Sequence, residues 1–269
     1  MMQLRDQTAL ITGAAGGIGR AVALSLAKRG THLALADLTE EGLAETAAMA
    51  KALGVRVSTH RLDVSDAEAV AALPAAVLTA HPGVGILVNN AGVAVNGTFE
   101  QLSAADFEWL FGINFWGVVR MTRAVLPALR QAKEARLVNI SSLFGLIAPP
   151  GQTAYAASKF AVRGFSEALR HELEGSNVGV TTVHPGGVAT RIALDARMSG
   201  NPDPAEVARR LEYFARMLRM PPDQAGEIIV SGMEQRRARI IVGSDAKLAA
   251  LIARIFPVSY WGKIQRTTR

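Results

Sequence analysis

Seven short apolar runs alternate with longer helix-like stretches along this 269-residue chain. The runs are Gln7–Thr12, His32–Ala36, Val55–His60, Gly85–Asn89, Arg136–Ile140, Val178–Val183 and Arg239–Val242. Between them, helix-like stretches run from a glycine cluster to about Arg29, from Glu40 to Leu53, from Ser65 to Ala80, from Ser103 to Gln131, and through Tyr155. Runs that are apolar throughout, rather than at every second residue, belong to strands covered on both faces. The helices between them supply those covers and the crossovers that parallel strands require. The alternation therefore predicts an α/β fold, a doubly wound parallel sheet of about seven strands with helices on both faces. Hydrophobic residues form 49% of the chain, which suits a large core. No repeat or linker interrupts it, so residues 1–269 read as one domain. One segment, 189–222, breaks the alternation and contains the turn Gly200-Asn201-Pro202-Asp203-Pro204. Long insertions of this kind often cover an active site, so 189–222 reads as a lid or as a pair of surface helices.

The first run ends in Thr12-Gly13-Ala14-Ala15-Gly16-Gly17-Ile18-Gly19, a strand-to-helix junction with glycines spaced G-x-x-x-G-x-G. Glycines there permit a tight turn and a close approach of backbone to a pyrophosphate, whose charge meets a helix N-terminus. Asp37 closes the second run. An acid about 20 positions beyond such glycines can bind the adenosine ribose hydroxyls and would repel a 2′-phosphate. No lysine or arginine stands at 38 or 39 to receive that phosphate, so NAD is favoured over NADP. Asp63-Val64 and Asn89-Asn90-Ala91-Gly92 follow the third and fourth runs. Ligands of open α/β sheets bind at these carboxyl ends, although Asn, Asp and Gly also serve as plain turn residues.

Tyr155 and Lys159 lie four residues apart, on one face of a helix, and Ser142 precedes the tyrosine by thirteen residues. An ammonium beside a phenol favours the phenolate. Lowering a tyrosine from about 10 to near neutrality takes roughly 4 kcal/mol of differential stabilisation. A tyrosine tuned in that way can exchange a proton with an alcohol.

Taken together, these segments resemble the short-chain dehydrogenase/reductase family and its Rossmann-like fold. The matching motifs are T-G-A-A-G-G-I-G at 12–19, Asp63, N-N-A-G at 89–92, Asn114, Ser142, Y-A-A-S-K at 155–159 and P-G-G-V-A-T at 185–190. The resemblance covers roughly residues 5–243. It implies a catalytic set of Asn114, Ser142, Tyr155 and Lys159. Ser142 would bind the substrate oxygen and Tyr155 would be the acid/base. Lys159 would hold the nicotinamide ribose and lower the tyrosine pKa, and Asn114 would support Lys159 through a water. Ser141 would be structural. Cofactor contacts are implied for Gly13, Gly16, Gly17, Ile18, Gly19, Asp37, Asp63, Val64, Asn90, Ala91, Gly92, Tyr155, Lys159, Pro185, Gly186, Val188 and Thr190. The implied reaction interconverts a secondary alcohol and a ketone by hydride transfer to or from NAD. Two rivals stand beside it: an NADPH-dependent 3-oxoacyl thioester reductase, and a dinucleotide-binding regulatory protein without catalysis.

Ser142, Phe144, Gln152, Tyr155, Gly187, Phe214 and Met217 are the candidate substrate contacts, joined by Val93, Val95, Leu143 and Leu194 around them. Most are apolar, which suits a hydrophobic alcohol or ketone. The chain has no cysteine, hence no disulfide or thiolate metal site, and no metal-ligand cluster is evident. Net charge is +6, but no nucleic-acid motif accompanies it. No signal peptide and no membrane span are recognised, and a cytoplasmic location is expected. The tail over 244–269 is apolar with basic interruptions. It reads as packing on its own subunit or an oligomer interface, with peripheral membrane contact as the lesser alternative. The resemblance further implies a homodimer or tetramer through the Ser103–Gln131 and Tyr155 helices.

Overall fold

The computed structural model describes residues 1–198 and 216–267, together with Arg209 and Glu212. Seven strands form one parallel sheet: β1 (Thr8–Thr12), β2 (His32–Asp37), β3 (Val57–Arg61), β4 (Ile86–Asn89), β6 (Ala135–Ile140), β7 (Val178–Pro185) and β9 (Arg239–Val242). Their order is β3-β2-β1-β4-β6-β7-β9. A two-residue pair, β5 (Val95–Asn96) and β8 (Arg197–Met198), lies apart from it. The seven expected strands are therefore present, with β3 starting two residues late and β7 running on to Pro185.

Burial explains why the strand runs are apolar throughout. Neighbouring residues point to opposite faces of a strand, yet Leu10 and Ile11 are both fully buried. Ile11 joins a core with Leu26, Leu33 and Ile86 on one side of the sheet. Leu10 joins Met121, Leu129 and Leu137 on the other. The sheet order reverses at β1, which pairs with β2 on one edge and β4 on the other. That reversal opens a crevice at the carboxyl ends of the strands, where this class of sheet binds its ligands.

The helices place the remaining groups. Helix α1 (Gly17–Ala27) follows the glycine turn, α2 (Glu40–Lys51) follows β2, and α3 (Ala67–Ala80) follows β3. The stretch expected as one helix from Ser103 to Gln131 is not uniform. It consists of α4 (Ala104–Phe111), a π-helical turn at Gly112–Gly117 and α5 (Val118–Gln131). Ser103 and Asp106 form a capping box at its start, each side chain accepting from the other's backbone N–H. A π turn inserts an extra residue into the helical repeat and redirects the side chains it carries, and such turns favour functional sites. Asn114 lies within this one. Helix α6 (Thr153–Glu172) carries Tyr155 and Lys159, and α7 (Pro222–Glu234) leads to β9. The tail forms two further helices, α8 (Ser244–Ile255) and α9 (Tyr260–Thr267). Among the described residues no helix is long and apolar enough to cross a membrane.

Two buried histidines tie stability to pH. His184, at the end of β7, is fully buried; its Nδ1 faces the Ser142 carbonyl oxygen at 2.9 Å, and its Nε2 has no partner among the described residues. His81 is 2% exposed and sits 3.0 Å from Ser58 Oγ. Burial pulls both from 6.5 to about 4. A lowered histidine pKa means that the unfolded chain takes up the proton first, so stability is full above 6.5 and drains as pH falls towards 4. The expected loss is on the order of 2 kcal/mol per histidine at pH 5. Thermal unfolding should therefore shift down between pH 7 and 5, and His81→Asn with His184→Asn should flatten that slope. An unchanged slope in the double variant would remove the histidines as its cause.

Candidate active site

The glycine turn and the loop after β4 interlock at the crevice. Asn90 Nδ2 donates to the Thr12 and Gly13 carbonyl oxygens at 3.1 and 3.0 Å. Thr12 Oγ1 accepts from the Asn90 and Ala91 N–H groups at 3.0 and 3.1 Å. This packing demands glycine at two places. Gly13 has φ +67, and a Cβ there would stand 2.9 Å from Ala91 Cα. A Cβ on Gly19 would overlap the Gly13 carbonyl oxygen and stand 2.6 Å from Asn90 Nδ2. Asp37 is positioned from the same turn: its two oxygens accept from Ala15 N and Thr39 N, each at 3.0 Å.

One cavity of about 1200 Å³ begins here, and Gly13, Gly16, Gly17, Ile18 and Asp37 line this end. A Cβ at Gly16 meets nothing within 4 Å, so a side chain there would stand in the cavity itself. Backbone open to a cleft at a helix N-terminus, with a carboxylate at the next strand end, fits a dinucleotide. Asn90, Ala91 and Gly92 also line the cavity, whereas Gly19, Asp63 and Val64 do not. Gly19 serves the packing of the turn. Asp63 Oδ1 accepts from Ser65 N at 2.8 Å and Ser65 Oγ at 2.7 Å, and Val64 packs against Gly117.

Further along the cavity, Ser142, Tyr155 and Lys159 converge. Ser142 follows β6, and its hydroxyl lies near enough to Tyr155 to favour the phenolate. Its Oγ also accepts from Phe144 N at 3.1 Å, and the Phe144 ring meets Tyr155 edge-on at 6.1 Å. Lys159 is 4% exposed; its Nζ donates to the Ile140 carbonyl at 3.3 Å and lies 5.7 Å from the Tyr155 ring centroid. Ser141 is structural here, donating to the Lys159 carbonyl at 2.8 Å.

The electrostatics differ from the expectation of a lowered tyrosine. Burial pushes Tyr155 above its usual 10, and the nearby Ser142 hydroxyl offsets only part of that. Burial also brings Lys159 down to about 8. In this state a low dielectric penalises both charged forms, so Tyr155 is a phenol at neutral pH.

Asn114 is fully buried and does not line the cavity. Its Oδ1 accepts from Val93 N at 2.8 Å, and its Nδ2 donates to Val93 O at 3.0 Å and Ser158 Oγ at 3.2 Å. It braces the loop after β4 against α6, one residue from Lys159. Pro185, Gly186, Gly187, Val188 and Thr190 line the cavity as well. Phe144, Gln152 and Met217 also line the cavity, as do Val93, Leu143 and Leu194, while Val95 is buried outside it. The Gln152 amide is oriented by Asn96, to whose Oδ1 it donates at 3.0 Å. Phe214 lies outside the described residues.

Several groups at this site were missed by the sequence reasoning. Asp245 Oδ2 accepts from Gly187 N at 2.7 Å and lines the cavity. Leu248, Ala249, Ile252, Trp261 and Ile264 of the tail line it too. The tail's spacing of apolar residues is a helical signal, but nothing local says which surface that face covers.

Known proteins resemble this chain in sequence and fold. A family model described as short chain dehydrogenase matches residues 7–199. SadH of Mycobacterium tuberculosis, named as an oxidoreductase, is 45% identical over 263 residues, covering 97% of this chain and 94% of that one. Among solved structures, a short chain dehydrogenase/reductase from Burkholderia phymatum in complex with NAD superposes with a TM-score of 0.88 at 32% identity, covering 95% of both chains. An alcohol dehydrogenase from Thermococcus sibiricus complexed with 5-hydroxy-NADP gives 0.74 at 27% identity, over 88% of this chain and 94% of that one.

Proposed function

This chain belongs to the short chain dehydrogenase family of oxidoreductases, and we propose that it interconverts an apolar secondary alcohol and its ketone, using NAD in preference to NADP. The observation that carries the proposal is the meeting of Ser142, Tyr155 and the buried Lys159 inside the cavity that opens onto the glycine turn. The bound nicotinamide would supply the hydride acceptor or donor. Ser142 would hold the substrate oxygen by a hydrogen bond as charge develops on it. Tyr155, a phenol in this environment, would deliver its proton to the oxygen when a ketone is reduced and recover it when an alcohol is oxidised. Lys159 would steady the tyrosine oxygen whenever it is negative, and Asn114 would keep the Lys159 helix in register with the loop at Val93. The apolar lining at Leu143, Phe144, Leu194 and Met217 supports a hydrophobic substrate.

Asp37 supports NAD. Both carboxylate oxygens are held by backbone N–H groups at the edge of the cavity, and the next residue, Leu38, is 53% exposed and uncharged. A 2′-phosphate placed there meets an anion, and neither position 38 nor 39 carries a lysine or arginine to receive it. Wild-type kcat/KM should favour NADH over NADPH by at least about tenfold, since 1.4 kcal/mol of repulsion suffices for that ratio. Asp37→Ala combined with Leu38→Arg should invert the order. A wild type that prefers NADPH, with an acyl thioester as its better substrate, would transfer the assignment to the 3-oxoacyl reductase reading.

A further inference from the structure

We infer that the C-terminal helix pair forms a substrate-selective wall, with Trp261 as its central contact, built for a ketone or alcohol carrying a large apolar substituent. This rests on the alcohol–ketone reading above and extends it to substrate class. The wall is anchored to the site rather than merely near it. At one end Asp245 accepts from Gly187 N at 2.7 Å, beside the segment that lines the reactive centre. At the other, Tyr260 OH accepts from Ala148 N at 2.9 Å, on the loop that follows Ser142. Between the two helices, Lys263 Nζ sits 4.0 Å from the Phe256 ring centroid and folds α9 back on α8.

The inner side of this wall is apolar. Ile252, Trp261 and Ile264 line the cavity, and each is only partly buried by the protein. A residue recruited solely for the core would be covered by protein. These three instead present hydrocarbon to the space reached from Ser142 and Tyr155, where an apolar group would complete their burial. Asp245 is the charged cavity residue on the tail, and its Oδ2 is already engaged by Gly187. The family match ends at residue 199, so the wall lies outside the segment that carries the shared chemistry.

The test compares two methyl ketones, acetone and 2-acetonaphthone, on full-length wild type, Trp261→Ala and Trp261→Phe with NADH. The expected result for Trp261→Ala is a rise of roughly tenfold in KM for 2-acetonaphthone, with kcat, the NADH KM and the acetone KM changed less than about twofold. Trp261→Phe should restore most of the naphthyl affinity. An activity-independent arm follows tryptophan emission: 2-acetonaphthone should quench or shift it in wild type and do so less in Trp261→Phe, whereas acetone should not. Equal losses on both ketones, or none on either with unaltered emission changes, would overturn the inference. If neither ketone is reduced by wild type, the alcohol–ketone reading fails instead, and the emission arm then decides the wall by itself.

Discussion

Tyr155→Phe should lower kcat by at least about 10³-fold while NADH still binds. The substitution removes one oxygen and little else. The phenyl ring keeps its edge-on contact with Phe144, and Lys159 keeps its bond to the Ile140 carbonyl. What disappears is the hydroxyl that stands with Ser142 and Lys159 in the cavity. Lys159 cannot take over readily, because it is buried and its Nζ is engaged with a main-chain carbonyl. Burial holds the tyrosine protonated, so the loss should appear in ketone reduction at neutral pH, where the phenol is the ready donor. Single-turnover measurements would separate this from slow product release, and NADH fluorescence would report binding. Retention of kcat within about tenfold of wild type would end the acid/base assignment.

The second large effect concerns the glycine turn. Gly19→Ala should weaken NADH binding by about 100-fold or more and also lower the unfolding temperature. Its methyl group collides with the Gly13 carbonyl and crowds Asn90 Nδ2, the atom that fastens the loop after β4 to the loop after β1. Neither is the mobile end of a long side chain, so the turn itself must shift, at a cost of about 1–3 kcal/mol or more. Gly16→Ala is the informative partner. Gly16 has extended backbone, φ −169, and an added Cβ meets no atom. That variant should keep the wild-type unfolding temperature yet lose cofactor affinity, because the methyl stands in the cleft. Calorimetry and NADH titration on the pair separate a turn that must be packed from a surface that must be bare. If Gly16→Ala binds NADH as wild type does, the nucleotide does not approach the backbone there.

Much of this was legible before any coordinates. The seven strands could be read because both faces of the sheet are covered, which leaves each strand as an uninterrupted apolar run. The glycine turn, Asp37, Ser142 and the Tyr155–Lys159 pair all sit at strand ends or on one helix face, where spacing reports position. Other features depend on contacts between distant parts of the chain and carry no such signal. The π turn around Asn114 is flanked by Gly112 and Gly117, a hint that periodicity alone does not decode. Asp245 reads as an ordinary first-turn helix acid until β9 brings it beside Gly187. Burial raises Tyr155 here, an influence that a lysine four residues away does not announce because spacing says nothing about how dry the site is. Asp63, an implied cofactor contact, also has its Oδ1 engaged by Ser65 in the turn before α3, a second task that spacing does not announce.

The position of the tail has an evolutionary meaning. Ser142, Tyr155 and Lys159 lie deep within the matched segment, whereas Trp261 and Ile264 come from the last stretch of the chain. Mutations that resize one end of the cavity need not touch the other. On the reading proposed above, drift in the final two helices would change the substrate while leaving Ser142, Tyr155 and Lys159 in place.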